Sequence, residues 1–260
     1  MGSIAPFRRF FGIIRSLVVY HGLLGRQRRL RKLYALFTQP GDLTFDLGAH
    51  AGNRTRALVA LGCRVVSVEP QNDFACLLRL FFSRQPSVLV IQAAVGDQNG
   101  RTTLSVSDTN PTMTTIATEW QQARQKDPLF AGVHWNRSIE VDQVTLDLLI
   151  SKFGRPAFVK IDVEGAEPRV LAGLSQPITA LSFEYLPDAL NYAESCIRML
   201  MKLGIYQFNW SPGESYQLAS NHWMDGDTVL EALKTLPAQR RSGDIYARLT
   251  ESLQRDLHDK

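Results

Sequence analysis

Phe45-Asp46-Leu47-Gly48-Ala49-His50-Ala51-Gly52-Asn53-Arg54-Thr55 leaves a short apolar run, residues 43–47, and enters a stretch, 53–61, that reads as a helix. Gly48 and Gly52 permit a tight turn and let a ligand come close to the backbone. In an open α/β sheet, ligands sit just beyond the carboxyl ends of the strands. Asp46, near the end of that run, can accept hydrogen bonds from an ammonium group. The stretch is not a P-loop, because no Gly-Lys-Ser/Thr follows, and it lacks the three-glycine spacing of the dinucleotide fingerprint. Taken alone, an ordinary glycine-rich strand-to-helix turn also explains it.

Outward from this turn, short β-rich runs alternate with helical stretches. Runs at 64–68, 88–91, 157–161, 180–183 and from 205 stand between helical stretches at 71–83, 165–173 and 188–203. This rhythm implies an α/β domain with a buried, mostly parallel sheet. Residues 98–150 break it. Segments 101–106 and 138–144 alternate like a pair of strands and enclose a polar, partly helical insertion at 107–137, which carries Trp120 and Trp135. An insertion of this length reads as a lid, a specificity element or an irregular loop.

Three further motifs stand at strand ends. Seventeen residues past Gly52, Val68-Glu69-Pro70 places an acidic group where a nucleotide fold holds both ribose hydroxyls. Ala93-Ala94-Val95-Gly96-Asp97 has small residues that give an adenine ring room and an aspartate that can accept from its amino group. A turn at Gly96-Asp97 explains it equally well. Val159-Lys160-Ile161-Asp162-Val163-Glu164-Gly165-Ala166-Glu167 collects three carboxylates and a lysine at the end of the fourth run. Glu164 and Glu167 suit a helix N-terminus. Asp162 follows a buried run, and a buried charge needs a partner, which Lys160 or a ligand can supply.

The chain resembles the FkbM-type family of S-adenosylmethionine-dependent methyltransferases. The resemblance rests on Asp46 to Gly52, Val68-Glu69-Pro70, Ala94 to Asp97, Thr145-Leu146-Asp147, Lys160 to Glu167 and Gly243-Asp244-Ile245-Tyr246-Ala247, and it spans about residues 40–250. It implies a class I methyltransferase, Rossmann-like fold with a seven-stranded, mostly parallel sheet flanked by helices. It also implies that Asp46, Gly48, Ala49, His50, Gly52 and Asn53 surround the methionine part of the cofactor. Glu69, with Pro70, would hold the ribose; Ala94 and Asp97 would flank the adenine; Asp162 and Glu164 would face the reacting centre. Members of the family are associated with O-methylation of hydroxyls on small-molecule natural products and sugars.

Transfer of a methyl group to an alcohol requires alignment and a base that takes the hydroxyl proton. The candidate bases are Asp162, Glu164, His50 and His134, with Asp162 and Glu164 preferred because paired carboxylates raise one pKa. Neighbours on a strand point to opposite faces, so the chain must turn at Val163 to bring both into the crevice. Asp162, Glu164 and Glu167 have the chemistry of a Mg²⁺ or Ca²⁺ site, yet no complete ligand set is legible, and no metal is expected. Glu184-Tyr185, Trp210, Tyr216 and Trp223 can line a substrate pocket or belong to the core.

Composition bounds these readings. Of 260 residues, 45% are hydrophobic and 21% charged, which excludes a disordered chain. Three cysteines, Cys63, Cys76 and Cys196, exclude a disulfide scaffold and read as small buried hydrophobes in a reducing compartment. The net charge of +4 is unevenly spread. Residues 1–41 hold eight basic and no acidic residues, so 42–260 hold 21 basic and 25 acidic. The mildly acidic body argues against a nucleic-acid partner. No run of 18 apolar residues is present, so no membrane-spanning helix is expected.

Residues 1–40 form a basic amphipathic extension before a 41–260 catalytic domain. They can be written as two helices, 7–20 and 25–37. Arg15 and His21 break the apolar stretch that a secretory signal needs. The extension can cap the body, or residues 1–37 can touch an anionic membrane surface peripherally. The expected setting is cytoplasmic. Three functions remain: O-methylation of a small-molecule or glycan hydroxyl, methylation of a nitrogen or a macromolecule, and a non-catalytic cofactor-binding scaffold.

Overall fold

The computed structural model describes residues 25–186, 188–236 and 242–250. α1 (Arg26–Tyr34) is followed by β1 (Leu43–Leu47), α2 (Asn53–Ala60), β2 (Arg64–Val68), α3 (Asn72–Phe81), β3 (Val88–Ile91) and β4 (Ala94–Val95). Next come β5 (Gly100–Val106), α4 (Thr118–Gln125), β6 (Arg137–Val144), α5 (Leu146–Phe153), β7 (Phe158–Ile161) and α6 (Glu167–Ala172). The chain continues through β8 (Ala180–Tyr185), α7 (Leu190–Leu203), β9 (Tyr206–Pro212), α8 (Gly226–Lys234) and β10 (Gly243–Leu249).

Seven strands form one sheet in the order β3-β2-β1-β7-β8-β10-β9. All neighbours pair in parallel except β10, which runs antiparallel to both β8 and β9. This is the expected class I methyltransferase architecture. The order reverses direction at β1 and β7, so a crevice opens beyond their carboxyl ends. β5 and β6 pair antiparallel around the insertion, as the alternation predicts, and β4 adds a parallel edge to form a separate three-stranded sheet.

The two faces of the large sheet differ. Phe45, Leu47, Val159, Ile161, Leu181 and Phe183 point to one face and join the main apolar core under α5, α6 and α7. On the other face, Ser67, Asp46, Lys160, Ser182, Tyr246 and Asn209 stand opposite one another across six strands. Each is at most 1% exposed. Strands in parallel sheets usually read as continuous apolar runs, and this buried polar row sets the second face apart from the first.

α1 covers that face. Leu30, Leu33 and Tyr34 pack with Ala57, Leu58, Phe158 and Tyr246. Phe37 stacks on Phe158 and Tyr246 with ring centroids 5.3 Å and 5.4 Å apart. Gln27 donates to the backbone and side-chain carbonyls of Asn53, and Arg26 pairs with Glu214. The predicted helix 25–37 is thus shorter than expected and ends where Phe37 turns inward. The predicted helix 7–20 lies outside the described residues. Two helices, α5 and α8, escaped the sequence reading. Cys63 and Cys196 are buried, but Cys76 is exposed on α3, which corrects the expectation for that residue. Among the described residues, no helix is long and apolar enough to cross a membrane.

Candidate active site

The site is built on two strand ends that nearly touch. β1 is followed by Gly48, whose φ is +78°. A Cβ there would collide with the carbonyl of Asp162, its carbon only 2.9 Å away. Only glycine lets the two strands close the floor of the crevice. The chain then turns through His50 at φ +46° and enters α2. On the neighbouring strand the chain turns through Glu164 at φ +54° and Gly165 at φ +87°. That turn lets Asp162 and Glu164 enter the same cleft, the condition set by strand alternation.

The cleft encloses about 630 Å³, including space open to solvent. Gly48, His50, Glu69, Pro70 and Ala94 line it, together with Asp162 and Glu164. The other expected cofactor residues stand back from the lining. Asp46 is buried beneath the turn and accepts from Thr55 Oγ1 at 2.6 Å. Ala49 and Gly52 are buried in the turn, where the Gly52 amide donates to the Ala49 carbonyl at 2.8 Å. Asn53 is held by Gln27. Asp97 accepts from Arg169 Nη2 at 2.8 Å, outside the lining, because the α6 guanidinium reaches across to it. That pairing holds its carboxyl below the usual range despite some burial.

Glu69 is 2% exposed and accepts from the backbone amides of His50 (2.9 Å) and Gln71 (2.8 Å). Burial pushes its carboxyl up to about 7. The His50 ring lies against Phe74, centroids 3.9 Å apart, and burial together with Arg54 pushes its pKa down to about 3. His50 is therefore neutral at ordinary pH and a poor proton acceptor. His134 is exposed on the insertion and does not line the cleft.

Four carboxylates and two cations converge at the other end. Arg54 Nη2 lies 3.3 Å from Asp162 Oδ2, and Lys160 Nζ lies 3.7 Å from the same oxygen. Lys160 is fully buried and donates to Asp244 Oδ1 at 2.9 Å. Burial lowers its pKa, but Asp162 and Asp244 outweigh that and keep it above the ordinary value. Asp162, Glu164 and Glu184 offer carboxylate oxygens that all lie within 4.8 Å of one another. Burial, with the charges of Glu184 and Asp162, holds the Glu164 carboxyl well above the usual range. Burial, with the charges of Asp162 and Glu167, pushes Glu184 up to about 8.

Sequence reasoning placed Glu167 in this cluster. Instead its carboxylate turns back and accepts from the Val163 amide at 3.2 Å, bracing the turn, and Glu184 from β8 takes its place. The arrangement can shuttle a proton: two cations balance Asp162, and the remaining acidic pair cannot hold two charges at close range. Three carboxylates within reach of one point could equally hold a divalent cation. Arg54 and Asp244 were not assigned roles from the sequence. Arg54 stands two residues past Gly52, in the first turn of α2, the only local signal for it. Tyr185 borders a small second cavity with Glu184 and Trp120, and Tyr216 contacts Arg26 through its hydroxyl at 3.0 Å. Trp223 packs beneath α1 and Trp210 against the main core, so neither lines the cleft.

The model of the FkbM methyltransferase domain matches residues 46–216. Among curated proteins none matches the chain. Among solved structures, the chain is similar to precorrin-6Y C5,15-methyltransferase from Geobacter metallireducens GS-15, at 11% identity and TM-score 0.44, covering 86% of each chain. It is similar to an S-adenosylmethionine-dependent O-methyltransferase from Thermotoga maritima, at 11% identity and TM-score 0.41, covering 88% of this chain and 66% of that one. It is also similar to Aeropyrum pernix fibrillarin with natively bound S-adenosylmethionine, at 10% identity and TM-score 0.44, covering 85% and 76%. With its glycine turn and its acidic strand end both inside the matched span, the chain belongs to the FkbM methyltransferase family and is an S-adenosylmethionine-dependent methyltransferase.

Proposed function

We propose that the enzyme methylates a hydroxyl on a small-molecule natural product or a sugar or glycan. The observation that carries this reading is the group Asp162, Glu164 and Glu184 on the cleft wall, with carboxylate oxygens within 4.8 Å of one another. When bound, S-adenosylmethionine supplies an activated methyl group. The chain aligns the acceptor and takes its proton.

In this reading Glu69 accepts from the ribose hydroxyls. Gly48, His50, Pro70 and Ala94 shape the cofactor cleft, and Asp46, Ala49, Gly52 and Asn53 set the turn beneath it. Asp97 acts from outside the cleft through Arg169. Asp162, fixed by Arg54 and Lys160, orients the acceptor, and the Glu164–Glu184 pair receives the hydroxyl proton. Titration calorimetry with S-adenosylmethionine and S-adenosylhomocysteine, alongside Glu69→Ala, tests the cofactor half. Micromolar binding lost in the variant supports it; equal binding by the variant overturns the role of Glu69. A panel of hydroxylated and amine acceptors, scored by mass, tests the acceptor half. Methyl transfer only to nitrogen would overturn it.

The partner reading that goes with this is cytoplasmic, with peripheral contact to an anionic membrane through residues 1–37. Its support is the outer face of α1, where Arg28, Arg29, Arg31 and Lys32 are exposed while Leu30 and Leu33 hold the inner face. Sedimentation with vesicles of neutral lipid, and of neutral plus anionic lipid, checks it. Binding to the anionic vesicles that survives charge reversal of those four residues would remove α1 from the contact.

A further inference from the structure

The insertion supplies Pro111, Thr112, Thr114, Thr115 and Ile116 to the lining of the cofactor cleft. It is fastened there. Gln71, two residues past Glu69, donates to the Pro111 carbonyl at 3.0 Å. Arg169 donates to the Ile116 carbonyl at 3.1 Å, and Trp135 Nε1 to the Met113 carbonyl at 2.7 Å. Ser105 and Thr115 bridge backbone to backbone, which ties the segment to β5.

Within this wall Thr114 is 9% exposed, and its hydroxyl oxygen is buried with no hydrogen-bond partner among the described residues. Its neighbour Thr115 differs, because its hydroxyl accepts from the Ala117 amide at 2.9 Å. A buried hydroxyl left unpaired is costly, so one on a residue that lines a ligand cleft has a ligand as a natural partner. The adjoining lining, Ala93, Ala94, Leu104 and Ile116, is apolar and suits a flat ring. Asp97, the residue that motif position favours for the ring's polar edge, is engaged by Arg169 outside the lining.

We propose that the 107–137 insertion is the outer wall of the nucleoside subsite and that the Thr114 hydroxyl hydrogen-bonds the polar edge of the adenine. This rests on the cofactor reading above. Thr114→Val keeps the shape and removes the hydroxyl. Calorimetry with S-adenosylhomocysteine and with adenosine should show both binding roughly three- to tenfold more weakly, the loss of one net hydrogen bond. Thr114→Ser should bind both like the parent. The ligand-free Thr114→Val protein should melt at the parent temperature or above it, because an unpaired buried hydroxyl has been removed. Unchanged affinity in Thr114→Val, or a ligand-free protein that melts several degrees early, would overturn the proposal. A parent chain that binds neither probe would instead sink the cofactor reading itself, which the Glu69→Ala comparison reports separately.

Discussion

Gly165→Ala should destabilise the protein strongly, because the turn that presents Glu164 is roofed by an indole. Gly165 sits at φ +87°, and an added Cβ would stand within 2.5 Å of three indole carbons of Trp120. The left-handed conformation alone costs a non-glycine residue about 1–2 kcal/mol. Trp120 has no room to yield. It is 2% exposed, edge-on to Trp135 at 6.2 Å, and has the Arg124 guanidinium 5.9 Å over its ring. Overpacking of this kind costs about 1–3 kcal/mol. The total of about 2–5 kcal/mol corresponds to a fall in Tm of roughly 4–20 °C for a chain of this size. Thermal unfolding followed by calorimetry reads it directly. Trp120→Ala alone should cost about 3–5 kcal/mol through the cavity it leaves. In the double variant the steric part disappears, so its cost should fall short of the sum by about 1–3 kcal/mol. A Gly165→Ala protein that melts within about 1 °C of the parent, or strict additivity in the double variant, would show that Trp120 does not rest on this turn.

Four other outcomes follow from the same geometry. Glu184, pushed up to about 8 from an ordinary 4.5, keeps its proton in the folded chain after the unfolded chain has released it. Stability should therefore fall as pH rises from about 4.5 to about 8, turnover should rise through about 8 as the base ionises, and Glu184→Gln should flatten both profiles. Rates that do not change with pH over this window would remove the pair from proton transfer. Glu69 ionises near 7, so cofactor affinity should tighten as pH rises through that value and lose this dependence in Glu69→Gln; a flat parent profile argues against a carboxylate–ribose contact. Lys160→Met leaves Asp244 buried without its cation and should cost about 3–5 kcal/mol in a denaturant titration, with partial recovery in Lys160→Met/Asp244→Asn; full stability in the single variant would contradict the pair. EDTA should leave turnover intact if the carboxylates act as bases, whereas loss restored by Mg²⁺ would reassign Asp162, Glu164 and Glu184 as metal ligands.

Local chemistry accounts for what was legible in the sequence. Apolar runs of four or five residues, separated by helical stretches, specify strand and helix whatever surrounds them. The glycines at 48 and 52 and the acidic groups at 46, 69 and 162 mark strand ends from their neighbours alone. Boundaries and short elements were less visible, because α5 and α8 are stabilised mainly by the core they pack on, and β4 is two residues long and exists only through β6.

Which groups share a site was decided by tertiary structure. Lys160 and Asp244 are 84 residues apart and meet at 2.9 Å because β8, between β7 and β10, carries the small Ser182 opposite Lys160. Glu184 joins Asp162 because β8 lies beside β7, while Glu167, closer in sequence, is turned away by the hydrogen bond it accepts from Val163. Thr114 lies in a polar insertion with no periodicity, and only the docking of Pro111 on Gln71 and of Trp120 over Gly165 brings it to the cleft. Strand-end chemistry is a short-range property of the chain; the company those groups keep depends on strand order, which is set by contacts far apart in sequence.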